Sequence, residues 1–464
     1  MRAIIKPGKF TGTFRVPASK SHTIRRLLIA SLAKGESVID HPLDSLDTRS
    51  CIEVCRALGA VIDEQYDDTP DSPNPPVPGK GRLVRLTVKG LEIGGGGTFR
   101  EPEKPLDVGN SGTTLYLAMA MAALGTKTIQ FTGDAQIRQR SAAELLGALN
   151  GLGVNAVSSK GNNCVPLSVR GPLKGGRISL SCPTSQYLSG LLLAAPLAPE
   201  GTVIEIDVPL LNEKPYIGMT LSYLDAQGIK YTAKDDYSYF RIEGGGVYKP
   251  MNGPVPGDFS SAAFPGCAAA ITGGPVTLLG LNPHDTQGDK EIFRLLGWMG
   301  CSVEWLGGNL SAAGPGLNTG EEWELVISRS GELRGKEFDL NDTPDMLPAL
   351  AATAVYASGE TGLLNVAHAR IKETDRVSVM AGELKKLGAV IEEVPDGLII
   401  RGKGGQGASI LTGGKVKGHG DHRVVMALAV AALGAEASVE IDTAESVSIT
   451  YPGFLEMLGA RLLD

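Results

Sequence analysis

Six glycines divide this chain at similar intervals. Each closes an amphipathic helical pattern and opens a short apolar run: Leu58-Gly59-Ala60, Leu152-Gly153-Val154, Gln227-Gly228-Ile229, Met299-Gly300-Cys301, Leu387-Gly388-Ala389 and Leu458-Gly459-Ala460. Glycine readily takes the left-handed conformation that ends a helix. The six lie 71 to 94 residues apart, which marks an internal repeat. A second landmark recurs in step. Polar, hydroxyl-rich loops opening at Ser19, Asn110, Thr184, Asp258, Asp342 and Asp421 each precede a helix of small apolar residues. Each unit thus holds two helices, one after the polar loop and one before the glycine. Segments 203–208, 276–279, 325–327 and 439–441 are rich in β-branched residues and read as strands.

Six units in 464 residues exceed what one core normally holds. They suggest two globules of three units, with the chain crossing between them near residues 19 and 257. The expected domains are 19–256 and 1–18 plus 257–464, the first strand completing the second globule. The long first interval has a cause at 66–80, a proline-rich polar stretch read as a surface insertion unable to pair as a strand. Glycine runs at 94–97 and 244–246 read as turns, because neither lies between a strand and a helix as a dinucleotide site requires.

The net charge of −7 argues against a nucleic-acid or membrane-surface binder. Anion binding then requires local convergence of cations, and small phosphorylated anions in a basic cleft between the halves are the expected ligands. The six cysteines form no CxxC pair, and Cys51 and Cys55 fit one face of a helix, so no metal is expected. His419 and His422 lack a third ligand nearby. Scattered thiols suit a reducing compartment. The start of the chain carries no long apolar run, and no stretch is apolar enough to span a bilayer, so a cytoplasmic protein is expected.

Helix N-termini attract anions. Serine, threonine and aspartate there equally serve as simple caps, as Asp342 does on this reading. Adjacent basic residues separate the two cases. Lys20 and Ser21 stand at a helix start with Arg25 one turn on. Arg138 and Arg140 lie in a loop after a strand. Arg370-Ile371-Lys372-Glu373-Thr374-Asp375-Arg376 packs five charges into seven residues. Arg423 opens an apolar helix, and Asp345 stands at a helix entrance as a candidate general base.

Together these motifs resemble the 5-enolpyruvylshikimate-3-phosphate synthase family of enolpyruvyl transferases. The resemblance rests on Pro17-Ala18-Ser19-Lys20-Ser21, Gly109-Asn110-Ser111-Gly112-Thr113, Thr132-Gly133-Asp134 with Arg140, Ser185-Gln186-Tyr187, Pro256-Gly257-Asp258-Phe259-Ser260-Ser261-Ala262, Pro344-Asp345-Met346, Ile371-Lys372-Glu373-Thr374-Asp375-Arg376 and Asp421-His422-Arg423, all in register. It implies an α/β fold: a two-domain inside-out α/β barrel (prism) of six βαβαββ repeats, three per domain. It implies transfer of the enolpyruvyl group of phosphoenolpyruvate to the 5-hydroxyl of shikimate 3-phosphate, without metal or organic cofactor; a monomer is expected. Lys20, Ser21, Arg25, Thr184, Ser185, Gln186, Asp345 and Lys372 would meet shikimate 3-phosphate. Lys20, Gly112, Arg140, Gln186, Arg376 and Arg423 would hold phosphoenolpyruvate. Asp345 and Glu373 would be base and acid, with Lys20 alongside.

Four positions depart from the family pattern. Glu213 stands for a common Ser, where a carboxylate would repel a phosphate unless turned away. His368 stands for Asn, Tyr116 for Arg and Ile449 for Lys. The last implies weaker phosphoenolpyruvate binding. Two alternatives share much of this pattern. One is the sister transferase acting on UDP-N-acetylglucosamine, whose first motif has Asn where this chain has Ser21. The other is a non-catalytic binder of phosphorylated ligands, which would not need both Asp345 and Glu373.

Overall fold

The computed structural model describes residues 1–68, 74–307, 323–402 and 411–463. Twelve α-helices occur among them, two per sequence unit: α1 Lys20–Leu32 and α2 Leu46–Leu58; α3 Gly112–Ala122 and α4 Ala143–Gly151; α5 Gln186–Ala194 and α6 Lys214–Gln227; α7 Phe259–Thr272 and α8 Glu291–Trp298; α9 Leu347–Ala354 and α10 Arg376–Lys386; α11 His422–Ala432 and α12 Phe454–Met457. All six helix-ending glycines are left-handed, with φ between +70° and +115°.

The two helices of a unit differ in kind. The first is rich in small and apolar residues and is buried nearly all round, as α3 and α11 are along their whole length and α7 is from Phe259 to Ile271. Small side chains let such helices approach one another closely. Accordingly α7, α9 and α11 pack together, as do α3 with α5 and α1 with α3. The second helix is amphipathic. In α2 the buried residues include Cys51, Ile52, Val54, Cys55 and Leu58, so the two cysteines fill core space on one face.

Among the described residues six sheets accompany the helix pairs, and all follow one order: a parallel pair, then two antiparallel neighbours. In one, Gly176–Ser179 runs parallel to Val203–Asp207, which pairs antiparallel with Tyr239–Glu243 and that in turn with Tyr231–Ala233. Burial alternates along strands such as Val276–Leu279 and Glu36–Asp40. One face meets the helices and the other faces outward.

The N-terminal strands belong to sheets built otherwise from late residues. Arg2–Ile5 lies between Val439–Ile441 and Arg461–Leu463, and Gly12–Arg15 runs parallel to Val276–Leu279. The two crossing segments run side by side. Ala18 bridges Gly257, Ser19 N donates to Pro256 O at 2.7 Å, and Asp258 N donates to Pro17 O at 2.8 Å. Buried apolar residues form two clusters, one drawn from Ala18 to Val255 and the other from Ala3 to Val16 together with Phe259 to Leu455.

Two expectations are corrected. The 66–80 stretch does pair in part: Pro76–Val77 lies antiparallel to Gly81–Lys89 at the sheet's margin, where a missing proline N–H costs little. Asn74 pins the stretch down. Its side chain accepts from Asp44 N at 2.9 Å and donates to Pro42 O and Leu83 O at 2.7 and 2.8 Å. Positions 69–73 lie outside the described residues. Asp342, read as a helix cap, is exposed and caps no helix among the described residues. Pro344–Met346 forms a 3-10 turn first, which moves the start of α9 to Leu347, beyond Asp342's reach.

Candidate active site

The six first-of-pair helices present their N-terminal ends to one cavity of about 520 Å³. Lys20 and Ser21 come from α1, Thr113 from α3, Gln186 from α5, Ser260 from α7, Asp345 from the turn before α9 and Arg423 from α11. Side-chain caps hold four of these ends. Ser19, Ser111, Asp258 and Asp421 accept from backbone N–H groups of their own helices. The α5 end is different, because Ser185 donates its own hydroxyl and N–H outward, to Glu213.

Of the expected site residues, Lys20, Ser21, Arg25, Arg140, Thr184, Ser185, Gln186, Asp345, Lys372, Glu373 and Arg423 line this cavity. Gly112 and Arg376 stand just behind the wall. A Cβ at Gly112 would lie 3.0 Å from Arg140 Nη1 and 3.2 Å from Gln186 Oε1, so a side chain would push both from their positions. Arg376, 1% exposed, holds three carboxylates: Asp421 at 2.8 Å, Asp345 at 2.7 Å and Glu373 at 2.6 Å. Arg423 takes the other oxygen of Asp345 at 3.0 Å, and Arg140 takes the other oxygen of Glu373 at 3.2 Å. Lys20 pairs with Asp47 at 3.1 Å.

The cleft was expected to be basic and is instead balanced. Six basic side chains (Lys20, Arg25, Arg140, Arg370, Lys372, Arg423) and six acidic ones (Glu144, Glu213, Asp258, Asp345, Glu373, Asp375) line it. Cations this close and this buried need counter-charges. Burial pushes the Asp345 carboxyl up, but Arg423, Arg376 and Lys372 outweigh it and hold the group far below its usual range. Burial likewise opposes ionisation of Glu373, and Arg376 and Arg140 overcome it.

Arg25 is the exception to pairing. It is 1% exposed and has no ion-pair partner among the described residues; it donates to Thr220 Oγ1, Ser189 Oγ, Ser21 O and Tyr216 O at 3.0 to 3.4 Å. Burial without a counter-ion lowers it to about 10. A buried guanidinium lacking an anion at a cavity wall is suited to receive one. Arg140 Nε is also buried without a hydrogen-bond partner.

The four departures separate here. Glu213 faces into the cavity rather than away from it. Tyr116 lines the wall, its hydroxyl donating to Ser141 O at 3.2 Å and its ring edge-on to Tyr187. Ile449 is buried in the 3-10 segment Ala444–Ile449 and is not on the wall. His368 is buried with Nε2 unpartnered, and burial lowers it, keeping it neutral. Sequence reasoning missed Asp47, which looks like an ordinary acid in the first turn of α2. It also missed Asp289, which meets Ser260 and Tyr216 behind the wall. Burial and the nearby Asp345 raise Asp289 to about 7. Among the described residues no cluster of metal-ligating side chains occurs, and no helix is long and apolar enough to cross a membrane.

Helix N-terminal ends around buried arginine–carboxylate pairs form the candidate active site. Comparison with known proteins narrows the class. The sequence profile described as EPSP synthase (3-phosphoshikimate 1-carboxyvinyltransferase) matches residues 4–75 and 83–458. A 3-phosphoshikimate 1-carboxyvinyltransferase of Acetivibrio thermocellus is 46% identical over 454 residues, covering 98% of this chain and 96% of that one. One from Ruminiclostridium cellulolyticum is 43% identical over 452 residues, covering 97% and 96%. The solved EPSP synthase of Acinetobacter baumannii superposes with a TM-score of 0.75 at 29% identity, covering 99% and 97%. The chain belongs to the EPSP synthase family.

Proposed function

We propose that this enzyme transfers the enolpyruvyl group of phosphoenolpyruvate to the 5-hydroxyl of shikimate 3-phosphate and releases phosphate. The observation that carries the reading is that Lys20, Arg140, Asp345, Lys372, Glu373 and Arg423, spread between positions 20 and 423, line one cavity. Family membership and the relatives' shared activity supply the substrates.

On this reading Ser21, Arg25, Thr184, Ser185, Gln186 and Lys372 receive shikimate 3-phosphate. Gly112, Arg140, Gln186, Arg376 and Arg423 receive phosphoenolpyruvate, with Lys20 between the two. Asp345 takes the proton of the attacking hydroxyl as its oxygen bonds to the enol carbon. Glu373 delivers a proton to the methylene carbon. The C–O bond to phosphate then breaks, and a proton leaves the methyl group to restore the double bond. The balanced charge of the cleft suits this sequence. Both carboxylates are held ionised by arginines. An entering trianion draws Arg376, Arg423 and Arg140 to itself and adds negative charge, so both carboxyls rise toward the range useful for proton transfer. Guanidinium groups already fixed in place need no reorganisation as charge develops.

The finer architecture belongs to the same proposal. Two globules, 19–256 and 1–18 with 257–464, each an inside-out barrel of three units, close over the substrates. The two apolar clusters, the paired crossings at Ala18 and Gly257, and the one-sided sheets over buried helices support it. Closure gathers groups from both halves and lowers the entropic cost of a bimolecular step. The test is phosphate release from phosphoenolpyruvate with either shikimate 3-phosphate or UDP-N-acetylglucosamine as acceptor. Release with the first alone is expected. Release with the second, or with neither, would overturn the assignment.

A further inference from the structure

Glu213 is 2% exposed and stands immediately before α6 with a left-handed backbone, φ +60°. A residue with a Cβ enters that region only when its surroundings hold it there. Glu213 is held from several directions. Its N–H donates to Asn341 O at 3.3 Å. One carboxylate oxygen accepts from Ser185 N at 3.0 Å, Ser185 Oγ at 2.8 Å and Thr184 Oγ1 at 3.2 Å. The other pairs with the Lys372 ammonium. A single side chain therefore occupies the donors at the α5 N-terminus and a lysine from the opposite wall. Those donors are the ones assigned above to the phosphorylated acceptor.

We propose that Glu213 is a specificity-determining residue: an internal anion that fills part of the acceptor's phosphate seat and must surrender Thr184, Ser185 and Lys372 before a phosphate can bind there. The inference rests on the proposed function for the identity of the acceptor. A carboxylate and a phosphate cannot share these donors, because each needs the same N–H and O–H groups and the two repel. Nor does protonation relieve the conflict near neutral pH. Burial alone would raise Glu213, but Lys372 and the Ser185 N–H hold it below the usual carboxylate range. The carboxylate must instead swing out, and the bonds it gives up are subtracted from acceptor binding. Phosphoenolpyruvate, seated on Arg140, Arg376 and Arg423, does not compete with it. The resulting selection acts on the acceptor alone.

The experiment compares the full chain with Glu213→Gln and Glu213→Ser. Gln keeps the volume and an accepting oxygen but removes the charge, and thermal melting establishes that each variant folds. In the phosphate-release assay the KM for shikimate 3-phosphate should fall at least tenfold in both variants, while the KM for phosphoenolpyruvate moves less than twofold. A KM for shikimate 3-phosphate that stays level or rises in folded Glu213→Gln would overturn the inference, because Glu213 would then be a support for Lys372 and not a competitor. Calorimetric titration with inorganic phosphate needs no turnover and separates this inference from the functional assignment. Tighter phosphate binding by Glu213→Gln supports the competing anion even if wild type proves inactive with shikimate 3-phosphate, and unchanged binding refutes it.

Discussion

Replacing Arg376 by Leu removes the one guanidinium that faces Asp421, Asp345 and Glu373 together. All three ion pairs are 2.8 Å or shorter, and Arg376 and Asp421 are fully buried. Breaking a buried pair from one side costs about 3–5 kcal/mol. Two of the carboxylates keep another cation, Arg423 for Asp345 and Arg140 for Glu373. Among the described residues Asp421 keeps hydrogen bonds from Thr374 Oγ1 and Arg423 N and no second ion pair. The loss at pH 7 should therefore lie near the lower bound, about 3 kcal/mol. Its pH dependence is the sharper test. In wild type all three carboxyls are depressed, so they stabilise the fold above their unfolded values, and this is lost as pH falls through their folded ones. Without Arg376, burial is opposed by fewer cations and their folded values rise. The variant is then penalised at neutral pH and relieved by protonation as pH falls. Denaturant unfolding at pH 7, 6, 5 and 4 should show the gap between wild type and Arg376→Leu narrowing steadily. A gap below 1 kcal/mol at pH 7, or one that stays constant down to pH 4, would refute the reasoning.

Other predictions follow from the same geometry. Asp345→Asn and Glu373→Gln should each lower kcat by about 10²- to 10⁴-fold with small changes in either KM; equal losses confined to KM would place them in binding only. Arg25→Ala should raise the KM for shikimate 3-phosphate and leave that for phosphoenolpyruvate near wild type, and the opposite pattern in steady-state kinetics would reassign Arg25. His22 bonds Tyr223 OH at 2.6 Å and Asp285 at 3.1 Å; despite burial, these partners raise it to about 9. A raised histidine stabilises below its unfolded value and loses that contribution as pH rises through its folded one. Melting temperature should therefore decline between about pH 6.5 and 9, and His22→Gln should flatten the decline; identical slopes would contradict the linkage.

The repeat was legible because it rests on local chemistry. A glycine ends a helix wherever it lies, so Gly59 through Gly459 could be read one at a time. The polar loops were legible for the same reason, except that Pro344 delayed a helix start and left Asp342 uncapping. What escaped was long-range partnership. Lys20 meets Asp47, and Glu213 meets Lys372, only because the fold carries their elements to one cavity. No local pattern encodes such pairs. The expectation of a basic cleft failed for that reason. Cations announce themselves beside helix starts, whereas the acids that neutralise them come from other elements, as Asp47 does from α2 and Glu213 from the residue before α6.

A crystal structure of the Asp345→Asn protein with shikimate 3-phosphate and phosphoenolpyruvate would reach the core of the account. Both ligands should lie together within the cavity, the acceptor against Arg25 and the α5 terminus, the phosphoenolpyruvate against Arg140, Arg376 and Arg423. Ligands bound at separate surfaces, or an acceptor whose 5-hydroxyl is out of reach of residue 345 and of the enol carbon, would contradict it.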